Sequence, residues 1–519
     1  MKQLEIEFLA NGLCRAQRQL ADCLPAQTRR ALLSRAQDIR PSLERLREAV
    51  ELEASLGNIS EAERIYRQIP RFRWTGLGIC TAWHDKIRKM LSKAGAELPE
   101  LSGPSARLVI AFAFPPFANA SGNVMARRVE KSGDSVDVIS NDMSGVAPLD
   151  GGLYGAISAR IGQHIVLEAE NYPARAAAFT DFADATVQAL QSDEFGAQRY
   201  DEIYSRSMWA QSHFAAAAAF VAGFGDSWTA EFSDPCRQSL TGDDSNALVD
   251  DAWLENSRIA AAIRARGFDV PDGQSLMFWA EYLPFCLADR IVFNNEEQRD
   301  LMGSQPDLPE NVRARISSIS EIEEHPVPGP TILSQMPCPK ASRGDIWIGY
   351  FGNLNPRRDL TPLLNAFARL PDHLKAKLRL LVFGNVPREF RRQCADLGID
   401  RFVIASAALD YLDALSYMRA MDWLFINDTA TDAAFRTNPY LPSKLADYRS
   451  AGRPVLAFAE TGSALSRTKL PPGSLCVDMT DEDATLNALI HIASADAINL
   501  QTLASETMPS SAAINGAEI

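Results

Sequence analysis

The sequence predicts an α/β chain: two doubly wound, Rossmann-like domains preceded by a helical N-terminal region. Three observations predict it. Short apolar runs alternate with amphipathic segments from about residue 105 to 490, the pattern of parallel strands joined through helices. A segment at 323–340 holds five prolines, Pro326, Pro328, Pro330, Pro337 and Pro339, and divides these runs into two sets. Each set opens on a strand that runs into a glycine-bearing loop, where backbone comes close to something. The expected limits are a helical region at 1–100, a first Rossmann-like domain at 101–325, and a proline-rich linker at 326–343. A second Rossmann-like domain at 344–490 and a C-terminal helix and tail at 491–519 follow.

Composition narrows the class. A chain of 519 residues has room for about three domains. Its 46% hydrophobic and 23% charged residues are those of a soluble globular protein. A net charge of −14 argues against a nucleic-acid partner. No apolar run approaches the roughly 18 residues of a membrane span, and the first residues lack a signal-peptide core. Eight scattered cysteines with no CxxC pair signal neither zinc nor disulfides, and fit buried thiols in a reducing cytoplasm.

Residues 1–100 read as helical. Leu43, Leu46 and Val50 make an apolar stripe, Gly57 and Asn58 break the helix, and Ser60 with Glu63 forms a capping box for the next one. The unit resembles a single tetratricopeptide hairpin. It packs on the body or docks a protein partner, and packing is the preferred reading. The basic-aromatic cluster Arg71, Phe72, Arg73 and Trp74 reads as a buried Trp beside solvated arginines, with contact to a membrane surface or lipid-linked substrate as the alternative.

In the first domain, strands are expected at 107–114, 136–139, 203–205, 227–232 and 290–294, with helices around 213–220 and 278–287. The loop 115–123 carries Gly122 but is not GxGxxG, so a dinucleotide fold is not supported. In the second domain, strands are expected at 346–352, 378–383, 402–404, 423–426 and 455–458.

The stretch 423–458 is the most informative: strand, polar loop, helix at 443–451, strand. Ser443 is expected to cap that helix with its hydroxyl, Gly452 to end it and Pro454 to forbid its continuation. Lys444 lies in the first turn, where the macrodipole disfavours a cation by roughly 0.3–1 kcal/mol. A bound anion would reverse that sign. Asp447 can accept from a vicinal diol such as a ribose. Snorkelling of Lys444 and solvation of Asp447 fit the same pattern. Arg357 and Arg358, before the helix that follows the 346–352 strand, suit a diphosphate, because guanidinium binds bidentately. The alternative is a solvated pair bridging Asp359.

Taken together, Tyr350-Phe-Gly-Asn-Leu-Asn-Pro-Arg-Arg-Asp-Leu, Leu441-Pro-Ser-Lys-Leu-Ala-Asp-Tyr-Arg-Ser-Ala-Gly-Arg-Pro-Val-Leu-Ala, and the pair Tyr204-Ser-Arg-Ser-Met and Ala230-Glu-Phe-Ser-Asp-Pro resemble the GT-B glycosyltransferases. The closer resemblance is to the family four retaining enzymes of bacterial surface-polysaccharide synthesis, over about residues 105–490. It implies that Arg358 holds the diphosphate of a nucleotide-sugar donor. Leu441, Ser443 and Lys444 line the donor pocket, and Asp447 meets the ribose. Asn353 stands where many members have arginine, and Gly122 lets backbone approach the diphosphate and acceptor. Arg206 and Glu231 face the acceptor in the first domain. Two departures stand out. The first acid of the Glu-x7-Glu motif falls on Pro439, and Ser233-Asp234 replaces a His-Thr or His-Asp pair. Asp234 and His213 are then the catalytic candidates, although a lone histidine at a helix start is more often structural.

The expected activity is a hexosyl- or related transfer from a nucleotide-diphosphate sugar to a saccharide or lipid-linked saccharide. It would be retaining, with no metal and no cofactor, in bacterial polysaccharide or glycoconjugate synthesis in the cytoplasm, with the inner face of the membrane as the alternative place. Peripheral membrane association and a protein partner on the N-terminal helices stay open. So do two alternatives, a nucleotide-sugar epimerase and a non-catalytic nucleotide-sugar-binding module.

Overall fold

A computed structural model describes residues 25–39, 43–69, 79–96, 105–171, 175–192, 199–237, 247–337, 345–355, 357–431 and 435–494. The chain divides into two compact units, Met1–Asn294 with Gln298–Gln335, and Asn295–Glu297 with Met336–Ile519.

The first unit is built on a parallel sheet of seven strands: β1 Arg107–Ile110, β2 Val136–Asn141, β3 Ile161–Leu167, β4 Tyr200–Ser207, β5 Gly225–Phe232, β6 Arg290–Phe293 and β7 Ser320–Ile322. Their order is β3-β2-β1-β4-β5-β6-β7, so the winding reverses between β1 and β4. The central strands are buried along nearly their whole length, as parallel strands covered on both faces must be. The helix Gln211–Val221 carries a run of alanines, and all five from Ala215 to Ala219 are buried. Among the described residues, Trp228 and Trp279 are the largest fully buried side chains.

The second unit has six parallel strands: β8 Ile346–Phe351, β9 Leu378–Phe383, β10 Val403–Ser406, β11 Trp423–Asn427, β12 Val455–Ala459 and β13 Leu475–Asp478. Their order, β10-β9-β8-β11-β12-β13, reverses between β8 and β11. Its core joins Ile348, Tyr350, Leu380, Trp423 and Phe425 of the sheet to Leu363, Leu364 and Phe367 of the helix Thr361–Arg369 and Leu489 and Ile492 of the helix Glu482–Ser494. Two Rossmann-like sheets, each with the strand order that leaves a crevice at its reversal point, are the architecture read from the sequence.

The helical region belongs to the first unit. Val50, Ile65, Tyr66, Ile87 and Leu91 form its core. It packs on the α/β body at the helix Gly151–Ile157, where a Cβ on Gly151 would lie 2.7 Å from that of Gln68. Ser60 does not cap: the helix starts one residue earlier, at Ile59, and Glu63 is bound to Arg67 instead. Arg71 to Trp74, the segment 101–104 and the tail from 495 lie outside the described residues.

The proline-rich segment is fastened at its start. Glu130 accepts from Gly329 N at 2.7 Å and Ile332 N at 2.9 Å, and Arg128 donates to the carbonyls of Glu323 and Glu324. Strand β1 ends at Ile110, four residues short of the expected limit. Strands β3, β7 and β13 were not expected. Gly162, Gln163 and His164 interrupt the apolar run of β3, while β7 and β13 are short and partly exposed sheet edges.

Among the described residues no helix is long and apolar enough to cross a membrane, and no group of three or more His, Cys, Asp or Glu side chains could hold a metal ion. Cys236, Cys286, Cys394 and Cys476 are free. Cys286 and Cys394 are buried, Cys236 is half-buried and Cys476 is exposed rather than buried.

Candidate functional site

The crevice of the second unit begins where two strands part. Strands β8 and β11 pair at Trp423–Ile348 and Leu424–Gly349 and no further. Beyond that point the Tyr448 hydroxyl sits between them. It accepts from Phe351 N at 3.1 Å and donates to Phe425 O at 3.1 Å. Tyr448 reaches there from the helix Lys444–Ala451, where it is fully buried. The two loops leaving the sheet then come together. Gly384, after β9, has φ +155°, and a Cβ on it would lie 2.1 Å from Gly352 O. Gly352, after β8, also has φ +155°, and a Cβ on it would be 3.0 Å from Lys444 Nζ. Only glycine fits either place.

Lys444 has an unusual environment. Its Nζ is buried, has no hydrogen-bond partner, and lies 4.0 Å from the centre of the Tyr350 ring. Burial, helped by the neighbouring Arg358 guanidinium, pushes its pKa well below the ordinary lysine value. Arg358 is held by Nε, which donates to Thr429 Oγ1 at 2.8 Å. Arg357 donates to Ala430 O at 2.9 Å. Neither arginine bridges Asp359, whose carboxylate accepts from Thr361 N. Arg358 and Lys444 therefore converge at the reversal point of the sheet with no carboxylate bound to either among the described residues, an arrangement that suits a ligand with several anionic oxygens.

The remaining second-unit candidates have defined places. Asn353 is exposed, and its Oδ1 accepts from Asn385 N at 2.9 Å, tying the loop after β8 to the loop after β9. Leu441 is buried. Ser443 does not cap: its backbone is already helical and its hydroxyl makes no capping bond, while Leu445 N and Ala446 N turn to the carbonyls of Pro442 and Ser443. Gly452 ends the helix with φ +65°, as expected. Asp447 is buried and accepts from the Tyr411 hydroxyl at 2.6 Å.

Sequence reasoning missed Asn427 and Asp428, at the end of β11. Asn427 is 1% exposed, and both polar atoms of its carboxamide lack a hydrogen-bond partner. Asp428 is fully buried. Its Oδ2 accepts from Glu460 N at 2.9 Å, Oδ1 has no partner, and burial raises its pKa to about 7. Beside them Glu460 is held by Thr431 N, Thr431 Oγ1 and Asn438 Nδ2. The available signal was two polar residues closing a strand that is otherwise wholly apolar.

The first-unit candidates satisfy one another. Glu231 accepts from Arg128 Nε at 3.0 Å, Arg206 Nε at 3.1 Å and the Tyr204 hydroxyl at 2.6 Å. The other nitrogens of Arg206 donate to Ser121 Oγ and Ser233 Oγ. Arg206 is 2% exposed and Glu231 fully buried, so neither has a free face for an acceptor. Burial alone would raise the Glu231 carboxyl, but Arg128 and Arg206 hold it well below the usual range. Gly122 lies in the first turn of the helix Ala120–Ser132. Its missing side chain lets that helix approach the backbone of Phe114, 3.2 Å from where a Cβ would stand. His213 is in the core: Nδ1 bonds Ser205 Oγ at 2.8 Å, the ring packs on Phe232, and burial lowers its pKa to about 3. Asp234 is half-buried and accepts from Ser233 Oγ at 3.0 Å.

No protein-family model and no curated protein sequence matches the chain. Solved structures are similar at a distance. The catalytic domain of starch synthase IV from Arabidopsis thaliana, bound to ADP and acarbose, is 10% identical over 78% of this chain and 96% of that one, with a TM-score of 0.49. Sucrose-phosphate synthase from Thermosynechococcus elongatus is 15% identical over 76% and 92%, TM-score 0.48. A UDP-N-acetylglucosamine 2-epimerase is 11% identical over 78% and 92%, TM-score 0.44. Likeness at this level carries no conclusion about chemistry.

Two substitutions test the geometry. Tyr448→Phe strands the Phe351 amide and the Phe425 carbonyl, and should cost about 1–3 kcal/mol in denaturant unfolding. Glu231→Gln takes the carboxylate from the buried Arg206 guanidinium and leaves Arg128 with Glu323 alone, and should cost about 3–5 kcal/mol. Because the native Glu231 pKa is depressed, its stabilisation is complete above the ordinary glutamate range and is lost as pH falls toward the native value. The stability of wild type and Glu231→Gln should therefore converge in acid.

Proposed function

We propose that the chain is a nucleotide-sugar-dependent glycosyltransferase of GT-B type, with the donor's diphosphate held by Arg358 and Lys444. The observation that carries this reading is Lys444: a buried amine with neither carboxylate nor hydrogen-bond partner among the described residues, beside the Arg358 cation, at the reversal point of the sheet. An unpaired buried charge is costly unless something pairs with it. A diphosphate supplies acceptor oxygens to both cations and restores the lysine's charge.

The chemistry follows from charge. Breaking the bond between the sugar and the diphosphate leaves negative charge on the leaving group. Cations already in place stabilise that charge without reorganising. The resemblance in sequence extends the proposal to retention of anomeric configuration, a saccharide or lipid-linked acceptor and a role in surface-polysaccharide synthesis. Asp234 is the accessible first-unit carboxylate left as an acceptor-side candidate.

One observation favours a second reading, a protein that binds a nucleotide sugar without turning it over. Arg206, Glu231 and His213 are buried and occupied with one another or with Ser205, which removes three of the first unit's candidate groups. Transfer or hydrolysis of a bound donor by the wild type separates the two.

The test is a thermal-shift panel of UDP, GDP, ADP and CMP with UDP- and GDP-sugars. A ligand at a hundred times its dissociation constant should stabilise the protein by about 2.7 kcal/mol. Arg358→Ala and Lys444→Ala should each weaken binding of the responding nucleotide roughly 10- to 100-fold, the loss of one charge-assisted hydrogen bond. Neither should lower the melting temperature of the unliganded protein. No response from any nucleotide would overturn the reading.

A further inference from the structure

The crevice holds a second group of unsatisfied polar atoms that the two cations do not account for. Alternation along a strand puts Tyr350 and Gly352 on one face of β8, and Phe425 and Asn427 on one face of β11. The Tyr350 and Phe425 rings are 6.0 Å apart, and Lys444 Nζ lies over the first of them and beside Gly352. Asn427 is one step further out on this face, where β11 has left β8. Its carboxamide is buried with both donor and acceptor unpaired. Next along the chain, Asp428 keeps one oxygen unpaired. Arg358, bonded to Thr429, acts electrostatically on both Asp428 and Lys444, so these groups share one neighbourhood.

The two sets of atoms differ in kind. Arg358 and Lys444 only donate, and phosphate oxygens only accept. Asn427 both donates and accepts, as does a sugar hydroxyl, and its amide carries no charge. Burial raises the Asp428 pKa to about 7, so at neutral pH about half of the molecules hold it as an uncharged carboxyl that both donates and accepts.

We propose that Asn427, with the free oxygen of Asp428 beside it, is the sugar subsite of this crevice: it reads hydroxyls of an uncharged polyhydroxylated ring whose diphosphate lies on Arg358 and Lys444. The proposal rests on the nucleotide-sugar reading above and adds to it the residue that discriminates the sugar from the bare nucleotide.

The test is Asn427→Leu, close in volume, assayed by calorimetry with the nucleoside diphosphate that wild type binds and with the matching nucleotide sugar. Affinity for the nucleoside diphosphate should stay within about twofold, while affinity for the nucleotide sugar should fall by about tenfold or more. The melting temperature of the unliganded variant should hold or rise, because an apolar group replaces a buried amide with nothing to bond. A merely structural asparagine would behave in the opposite way, with a lower melting temperature and both ligands weakened alike. Equal weakening of the two ligands, or none, overturns the proposal and leaves the diphosphate site standing. Failure of wild type to bind any nucleotide overturns both. Should Asn427→Leu not fold, Asn427→Ala read by the same ratio of affinities decides the matter.

Discussion

The second unit depends on one hydroxyl. Tyr448 stands in the ladder between β8 and β11 and takes the hydrogen bonds that the strands would otherwise make to each other. A backbone amide and a carbonyl can be parted in a protein interior only if something replaces the bond between them. Because Tyr448 does so from the helix Lys444–Ala451, the same helix that opens the strands also brings Lys444 to the opening. Gly352 and Gly384 let the loops after β8 and β9 come together with no side chain between. The crevice is thus a consequence of how one helix is pinned to the sheet.

This explains why the charge at Lys444 is tolerated. An ammonium buried without a carboxylate opposes folding, yet here it rests on an aromatic face, beside a second cation fixed by Thr429. Cation–π contact offsets part of the desolvation cost, on the order of 2 kcal/mol when the pair is desolvated. The rest remains as driving force for an anionic ligand. The first unit solves the corresponding problem differently. Its buried arginines Arg128 and Arg206 share Glu231, and Arg128 also pairs with Glu323, so its charges are neutralised from within. One sheet end is internally balanced and the other is left cationic.

Much of this was legible in the sequence. Gly452 and Pro454 placed the end of the 444–451 helix, because a left-handed residue and a proline leave no other conformation. The strand-end loops with Arg358 and Lys444 were found because apolar runs mark buried parallel strands and their ends mark the crevice. What was not legible depended on side-chain direction. Arg206 and Glu231 sit at strand ends in sequence, but whether such residues face a ligand or each other depends on Arg128, more than seventy residues away along the chain. Ser443 fits a cap by type and position, yet the backbone is already helical at that residue and its hydroxyl has no amide to receive. Asn427 and Asp428 became visible only when burial showed their polar atoms to be unpartnered.

Placing a nucleoside diphosphate at the mouth of β8 and β11 is open to direct measurement. Hydrogen–deuterium exchange with and without a saturating nucleoside diphosphate tests it most directly. The account predicts slowed exchange in peptides covering residues 350–358, 427–431 and 441–448, with Tyr200–Ser207 of the first unit unchanged. Protection confined to the first unit, or none in these three segments while the nucleotide is demonstrably bound, would contradict it.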